Sequence, residues 1–105
     1  MTIREEVLEK LNADFPSLAK RFGVRELRLF GSVSRGEDTD TSDIDLLYTF
    51  EPEFETYHNL FSLHEYLEKL FERKVDLVSL EWSGERFLSL ALKDAIICSA
   101  AEGGG

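Results

Sequence analysis

The sequence predicts a mixed α/β (α+β) fold in which a small mixed β-sheet is flanked by helices. The first observation behind this prediction is the order of hydrophobic patterns, which runs helix, strand, strand, helix, strand, helix. The second is size, because 105 residues with 43% hydrophobic side chains and eight Phe are enough for one core. The third is an apolar run that ends at a Gly-Ser turn, followed by a second apolar run that begins with two carboxylates.

The N-terminal segment predicts the first helix. Thr2 followed by Glu5 resembles a capping box, and apolar residues recur after it at helical spacing. We expect this helix to run through about Asn12, to be interrupted near Pro16 and to resume as far as Arg21. The reason for the interruption is that proline lacks the backbone N–H that a residue inside a helix donates.

The remaining elements follow from two kinds of hydrophobic spacing. Short apolar runs predict strands at Val24–Phe30, Asp43–Phe50 and Val75–Leu80. Apolar residues at three- and four-residue steps predict helices at Phe54–Phe71 and Phe87–Ser99. Between the first two strands we expect a short helical turn and then a polar loop.

The chain is expected to form a single domain over residues 1–100. Residues 101–105, with the sequence Ala-Glu-Gly-Gly-Gly, have no side chains to pack and are expected to be a disordered tail. We expect no membrane segment, since no apolar run approaches the roughly eighteen residues that a span needs, and no leader peptide. The one cysteine, Cys98, cannot form an internal disulfide, which favours a reducing, cytoplasmic location.

Net charge restricts the class of partner. The chain carries 21 acidic and 12 basic residues, for a formal net charge of −9. Such a surface repels phosphate backbones, so DNA or RNA is not expected as a substrate. The charge is compatible with a small nucleotide chelated by Mg²⁺ or with a basic protein partner.

The segment Leu29–Gly36, followed by Asp43-Ile44-Asp45-Leu46, is the most informative part of the sequence. Alternate residues of a strand point to one face, so Asp43 and Asp45 project together and need a cation between them, commonly Mg²⁺. A Gly-Ser turn beside that cation can hold a polyphosphate on its backbone N–H groups and hydroxyl. A metal site next to a phosphate cradle indicates nucleotidyl transfer.

These carboxylates have two other interpretations besides a metal site. In the simpler one, Asp43 and Asp45 are ordinary solvated strand residues. Strands are depleted in Asp, however, and like charges on one face are unfavourable, so the metal site is the better interpretation. A calcium loop that starts at Asp38 is excluded, because its sixth position is Asp43 rather than Gly and its twelfth is Thr49 rather than Glu.

The motifs from Gly31-Ser32 through Arg35-Gly36 to Asp43-Ile44-Asp45 resemble the signature of the DNA polymerase β-like nucleotidyltransferase superfamily, and most of all its minimal nucleotidyltransferase (MNT) branch. The resemblance covers roughly residues 24–98. It implies the nucleotidyltransferase fold for the single domain, with a Gly-Ser turn that binds the nucleotide triphosphate. The site residues that it implies are Gly31 and Ser32 for the nucleotide, and Asp43, Asp45 and Asp76 as ligands of two Mg²⁺ ions and as catalytic residues.

Arg35 and a few aromatic or histidine side chains are less specific candidates. Arg35 is either a surface residue paired with a neighbouring acid or a nucleotide-binding residue that screens the triphosphate. His64 lies in the apolar stripe of its helix and is expected to be a packed or interface residue rather than a ligand. Tyr57 and Trp82 are suited to stack an adenine, but residues of both types are more often core or interface residues.

The resemblance also implies a function. MNT proteins act as antitoxins of helical HEPN toxins, to which characterised members add AMP units on a tyrosine. We therefore expect a Mg²⁺-dependent, type VII-like antitoxin that transfers AMP from ATP to a hydroxyl of a HEPN-type partner, in a hetero-oligomer with it. Two alternatives stay open: a non-catalytic antitoxin that neutralises its partner by binding, and an aminoglycoside-type nucleotidyltransferase that acts with a separate subunit.

Overall fold

The computed structural model describes residues 2–39 and 41–98. Within these residues, four helices and four strands alternate, and a 3₁₀ turn follows the second strand. In chain order they are α1 (Ile3–Phe22), β1 (Val24–Phe30), α2 (Gly31–Arg35), β2 (Ile44–Phe50), the 3₁₀ turn (Pro52–Phe54), α3 (Tyr57–Phe71), β3 (Val75–Ser79), α4 (Glu85–Ala91) and β4 (Ile96–Ile97).

The four strands form one mixed sheet in the spatial order β3-β2-β1-β4. β1 pairs antiparallel with both β2 and β4, whereas β2 and β3 pair in parallel. Because parallel neighbours need a crossover connection, α3 lies between β2 and β3 in the chain. The predicted fold class, a small mixed sheet flanked by helices, is confirmed.

One face of the sheet is covered by α1 and α3. α1 starts with the predicted capping box, in which the Thr2 hydroxyl accepts from the Glu5 N–H at 3.1 Å and the Thr2 N–H donates to the Glu5 carboxylate at 3.0 Å. The two helices and the sheet bury one continuous apolar cluster. Its fully buried members include Leu11 and Leu18 of α1, Leu27 and Leu29 of β1, Leu46 of β2, and Leu63 and Leu67 of α3.

The predicted break in the first helix is wrong. α1 is continuous from Ile3 to Phe22 with Pro16 inside it. An internal proline costs roughly 3 kcal/mol because it removes a hydrogen bond and crowds the preceding turn. Phe15 and Leu18, on either side of Pro16, are both buried in the core, so tertiary packing offsets that cost.

The C-terminal part of the chain also differs from the prediction. The expected helix Phe87–Ser99 is instead a short helix that ends at Ala91, a turn, and the edge strand Ile96–Ile97. Its apolar residues at helical spacing were misleading because a run as short as Ile96-Ile97-Cys98 suits a strand equally well. The backbone N–H of Cys98 donates to the Leu27 carbonyl at 2.8 Å, which holds this segment against β1.

Other boundaries shift by a few residues. α3 begins at Tyr57 rather than Phe54, because Pro52–Phe54 form the 3₁₀ turn and Thr56 caps the helix. β2 begins at Ile44, so Asp43 directly precedes it. The predicted tail at residues 101–105 lies outside the described residues, and the single domain over residues 1–100 stays a prediction. Within residues 2–39 and 41–98, no helix is both long enough and apolar enough to cross a membrane.

Candidate active site

The sheet register brings two of the predicted carboxylates side by side. Asp45 of β2 pairs with Asp76 of β3, and on its other side Asp45 pairs with Phe30 of β1. Residues that pair directly across strands point to the same face, so Phe30, Asp45 and Asp76 form one row. This row lies on the face opposite α1 and α3, because the flanking residues Ile44 and Leu46 belong to the helix-covered core.

The Gly-Ser turn lies against Asp45. Gly31 has φ +79°, which favours glycine because it has no Cβ. A Cβ built on Gly31 would lie 2.3 Å from Oδ2 of Asp45, closer than any real contact of that kind. The absence of a side chain at position 31 therefore makes room for the Asp45 carboxylate, and the predicted phosphate turn and metal carboxylate occupy one site.

Asp45 is electrostatically strained in the free protein. Its pKa is raised from 3.8 to about 6, first because burial disfavours the charged form and then because Asp76 and Asp43 repel it. Arg35 acts in the opposite direction and lowers the pKa of Asp45. Two of the predicted metal ligands thus act on the third through space, and a cation placed beside Asp45 would relieve the repulsion.

Helix α2 holds the turn in place. The Ser34 hydroxyl donates to the Gly31 carbonyl at 2.8 Å, and Arg4 of α1 donates to the Ser34 carbonyl at 3.1 Å. Ser34 is almost fully buried, so this contact fixes α2 against α1. Over residues 2–39 and 41–98, by contrast, the hydroxyl of Ser32 has no hydrogen-bond partner in the protein, which leaves it available to a ligand.

Arg35 is paired with two acids rather than free. Its Nε donates to Oε1 of Glu37 at 2.9 Å, and its Nη1 lies 3.6 Å from Oδ2 of Asp94, in the turn after α4. The hydrogen bond with Glu37 is the main reason why the pKa of Arg35 is raised. The guanidinium is solvent-exposed, so these pairs are weak enough to be exchanged for phosphate oxygens. The pairing with Asp94 was not predicted, because it joins residues that are far apart in the sequence.

Two further residues position the strand that carries Asp76. Nε2 of His64 donates to the Val75 carbonyl at 2.8 Å and lies 3.1 Å from Oε2 of Glu68. The same Glu68 oxygen accepts from the Val75 N–H at 2.9 Å. These contacts clamp the start of β3 to α3, next to Asp76. The helical spacing of His64 and Glu68 places them on one face, but the sequence does not reveal which strand they hold.

The donor set fits magnesium even though it is not a preformed cage. In the part of the chain that the structure describes, no three His, Cys, Asp or Glu side chains are arranged to hold a metal ion as they stand. Mg²⁺ is commonly bound by one or two carboxylates together with water and substrate phosphates, so such a cage is not required. The oxygen donors of Asp45 and Asp76, which lie beside the Gly31 turn, match that chemistry.

Comparison with known proteins gives the same result as the geometry. A model of the nucleotidyltransferase domain family matches residues 4–100. The protein adenylyltransferase MntA of Thermococcus cleftensis is 45% identical over 78 residues, which cover 74% of this chain and 78% of that protein.

Two solved structures have a similar fold. One, described as a candidate minimal nucleotidyltransferase, has a TM-score of 0.74 and 38% identity over 91% of this chain and 95% of its own. The other, a chain in the complex of tri-AMPylated Shewanella oneidensis HEPN toxin with MNT antitoxin, has a TM-score of 0.61 and covers 87% of this chain and 71% of its own. Its 17% identity shows similarity of fold alone. The chain therefore belongs to the nucleotidyltransferase domain family, as its motifs predicted, and is a nucleotidyltransferase related to the protein adenylyltransferase MntA.

Proposed function

We propose that this protein is a Mg²⁺-dependent protein adenylyltransferase that moves AMP from ATP to a tyrosine hydroxyl of a HEPN-type toxin and so acts as its antitoxin. The observation that carries the proposal is the contact of the Gly31 turn with Asp45, which in turn pairs with Asp76. The relative named MntA is a protein adenylyltransferase, and the solved complex of similar fold contains an AMPylated HEPN toxin, which supports a protein acceptor.

The nucleotide would be held at the Gly31–Ser32 turn. The Ser32 hydroxyl and the adjacent backbone N–H groups would donate to the β- and γ-phosphates. Arg35 would give up its ion pair with Glu37 or with Asp94 and bind phosphate oxygens instead. Held in this way, the nucleotide would present its α-phosphorus to the carboxylates.

Asp43, Asp45 and Asp76 would hold two Mg²⁺ ions. When bound, these ions neutralise the phosphate oxygens and the leaving group. In the reaction the acceptor oxygen bonds to the α-phosphorus, the bond from that phosphorus to the bridging oxygen breaks, and pyrophosphate leaves. Asp76 would accept the proton of the incoming hydroxyl, and its side chain is exposed and thus open to that acceptor.

The main alternative is an antitoxin that neutralises its partner by binding alone. The exposed aromatic side chains of Tyr57, Phe61 and Trp82 favour a protein partner in either case. Catalysis is the stronger proposal because Asp45 is held in a half-buried position where its charge is unfavourable unless a ligand compensates it. A cytoplasmic location is also part of the proposal.

The test uses ATP labelled on the α-phosphate, Mg²⁺, and the protein encoded by the neighbouring gene. We expect label on the partner with the wild-type chain and with Asp38→Asn, a loop carboxylate that serves as the matched control, and no label with Asp45→Asn. Tight binding of the partner without any label would favour the non-catalytic alternative. Label on an aminoglycoside with the partner unmodified would show that the acceptor class is wrong.

A further inference from the structure

A continuous groove runs along α3 and β3, outside the carboxylate row. It consists of two neighbouring cavities of about 380 and 250 Å³, which share Tyr57 and Leu60. The smaller cavity reaches Asp76 of the candidate site. The larger one lies at the far end of β2 and β3, where Tyr48 and Trp82 contribute to its walls. Neither the nucleotide nor the metal residues described above account for the larger cavity.

The larger cavity is aromatic and unusually exposed. Tyr57 is 85% and Trp82 80% exposed, which is rare for side chains of this size. The backbone of this wall is held in place, because the backbone N–H of Trp82 donates to the Ser79 hydroxyl and that of Leu80 to the Tyr48 carbonyl, each at 3.0 Å. Large aromatic rings that are open to solvent on such a backbone are typical of a surface that binds a partner.

The charges in this cavity have one sign. Glu55 and Glu81 line it, and none of its described lining residues is Lys or Arg. Both acids line the same cavity, and the pKa of Glu55 is raised mainly by its side-chain hydrogen bond with Glu81. Two carboxylates among aromatic rings form a site for a cation, because ion pairs with the carboxylates and contact with the ring faces both stabilise a bound cation.

We propose that the larger cavity binds an arginine side chain of the protein that carries the acceptor hydroxyl. Arginine fits better than lysine, since its planar guanidinium stacks on an indole or phenol ring while it bonds to carboxylates in its own plane. The identity of the partner rests on the proposed function, whereas the preference for a guanidinium rests on the cavity itself. Along β3 the cavity lies ~10 Å from Asp76, so the arginine and the acceptor hydroxyl belong to one surface of the partner.

The first experiment tests the cavity without any partner. Trp82 is the only tryptophan of the chain, so its fluorescence reports on this cavity alone. The probe is N-acetyl-arginine amide, and N-acetyl-citrulline amide is its uncharged equivalent. We expect a saturable change with the arginine probe, with a dissociation constant on the order of 1–10 mM, and at least tenfold weaker binding of the citrulline probe.

Matched variants distinguish arginine binding in the cavity from a general effect of the negative surface charge. We expect Glu55→Gln with Glu81→Gln to weaken arginine binding at least tenfold, and Glu9→Gln with Glu65→Gln, which removes two exposed acids elsewhere, to leave it unchanged. An equal response to citrulline, an equal loss in the control pair, or the absence of saturation would overturn the proposal. Tighter binding of N-acetyl-lysine amide would overturn the assignment to arginine.

The second experiment tests the link to the acceptor protein. In AMP transfer to the neighbour-encoded protein, the Glu55/Glu81 double variant is expected to raise KM for that protein at least tenfold with kcat unchanged, because the cavity positions the partner and takes no part in bond formation. An unchanged KM would overturn the role in acceptor recognition. Complete lack of transfer by the wild-type chain would overturn the proposed function instead. The fluorescence titration would still show whether the cavity binds arginine.

Discussion

The two faces of strand β2 differ sharply although their residues alternate along one segment. On the helix-covered face, Ile44 and Leu46 are almost completely buried among α1, α3 and the neighbouring strands. On the opposite face, Asp45 is only half buried, and its pKa is raised to about 6 by burial and by Asp76 and Asp43. One face of the strand therefore stabilises the fold, and the other holds a charge that destabilises it.

This difference shows how a chain of 105 residues can keep an unfavourable site. Burial of apolar side chains on the helix-covered face supplies the free energy of folding, and it stays intact when the opposite face changes. Substitutions of the carboxylates should then alter activity more than stability, and substitutions of the apolar residues on the helix-covered face should alter stability more than activity. Four predictions test this division, in order of decreasing effect.

The largest effect is expected for Asp45→Asn. Transfer should fall at least 10³-fold, about 4 kcal/mol of transition-state stabilisation, because the proposed metal site would lose a central oxygen ligand and its charge. Initial rates with labelled ATP provide the measurement, with Asp38→Asn as the control. Activity within a few-fold of wild type in Asp45→Asn would remove this residue from the catalytic site.

The second-largest effect is expected on stability, for a substitution on the helix-covered face. Leu46→Ala should lower the free energy of unfolding by about 3–4 kcal/mol, since a fully buried leucine is replaced and a cavity remains. Leu47→Ala is the matched comparison, because Leu47 is equally buried but lies on the opposite face, outside the main cluster, where we expect a loss of about 2 kcal/mol. Urea denaturation measures both. Equal losses would mean that the two faces contribute alike to stability.

Glycines at two ends of α2 provide the third test. Gly31 and Gly36 have similar positive φ angles, +79° and +73°, so an alanine at either position is strained by roughly 1 kcal/mol. Only at Gly31 would the new Cβ also collide with Asp45, whereas nothing lies within 4 Å at Gly36. Gly31→Ala should therefore cost about 2–3 kcal/mol and abolish transfer, while Gly36→Ala keeps most activity. Thermal melting and the transfer assay distinguish the two variants, and equal behaviour would contradict the contact.

The smallest effect is the pH dependence of stability. Because the pKa of Asp45 is higher in the folded protein than its ordinary value of 3.8, the folded state binds the proton more tightly than the unfolded state. This group therefore destabilises the fold above about pH 6, and the penalty disappears as the pH falls towards 4. Asp45→Asn should be more stable than wild type by about 1 kcal/mol at pH 7.5, once solvent screening of a half-exposed group is considered, and equally stable near pH 4.

The control for this titration is Asp38→Asn, measured over the same pH range. A constant difference between Asp45→Asn and wild type from pH 4 to 7.5 would show that the carboxylate is not perturbed. Repeating the series with Mg²⁺ tests the metal assignment, since added cation should stabilise the wild type more than Asp45→Asn.

Local patterns in the sequence predicted the elements that depend on local interactions. β1 extends over Val24–Phe30 as predicted, and the turn that brings Gly31 to Asp45 follows from a short motif. The continuity of α1 through Pro16 and the strand at Ile96–Ile97 could not be predicted, because each depends on packing against distant parts of the chain.

The candidate site likewise has features that the sequence predicted and features that it did not. The sequence named Asp45 and Asp76, and the register of β2 and β3 then placed them side by side. It did not predict that Arg35 pairs with Asp94, nor that Tyr57 and Trp82 are open to solvent, because residue type alone favours burial of large aromatic rings.

The parallel pairing of β2 with β3 also has a kinetic consequence. Asp45 and Asp76 are separated in sequence by the whole of α3, so the two carboxylates meet only after the crossover helix has formed and docked. Contacts of such high sequence separation form late, because the intervening loop must be closed first. During refolding, the amplitude of helical circular dichroism should therefore recover before nucleotidyltransferase activity does. A newly synthesised chain would gain its secondary structure first and its catalytic power last.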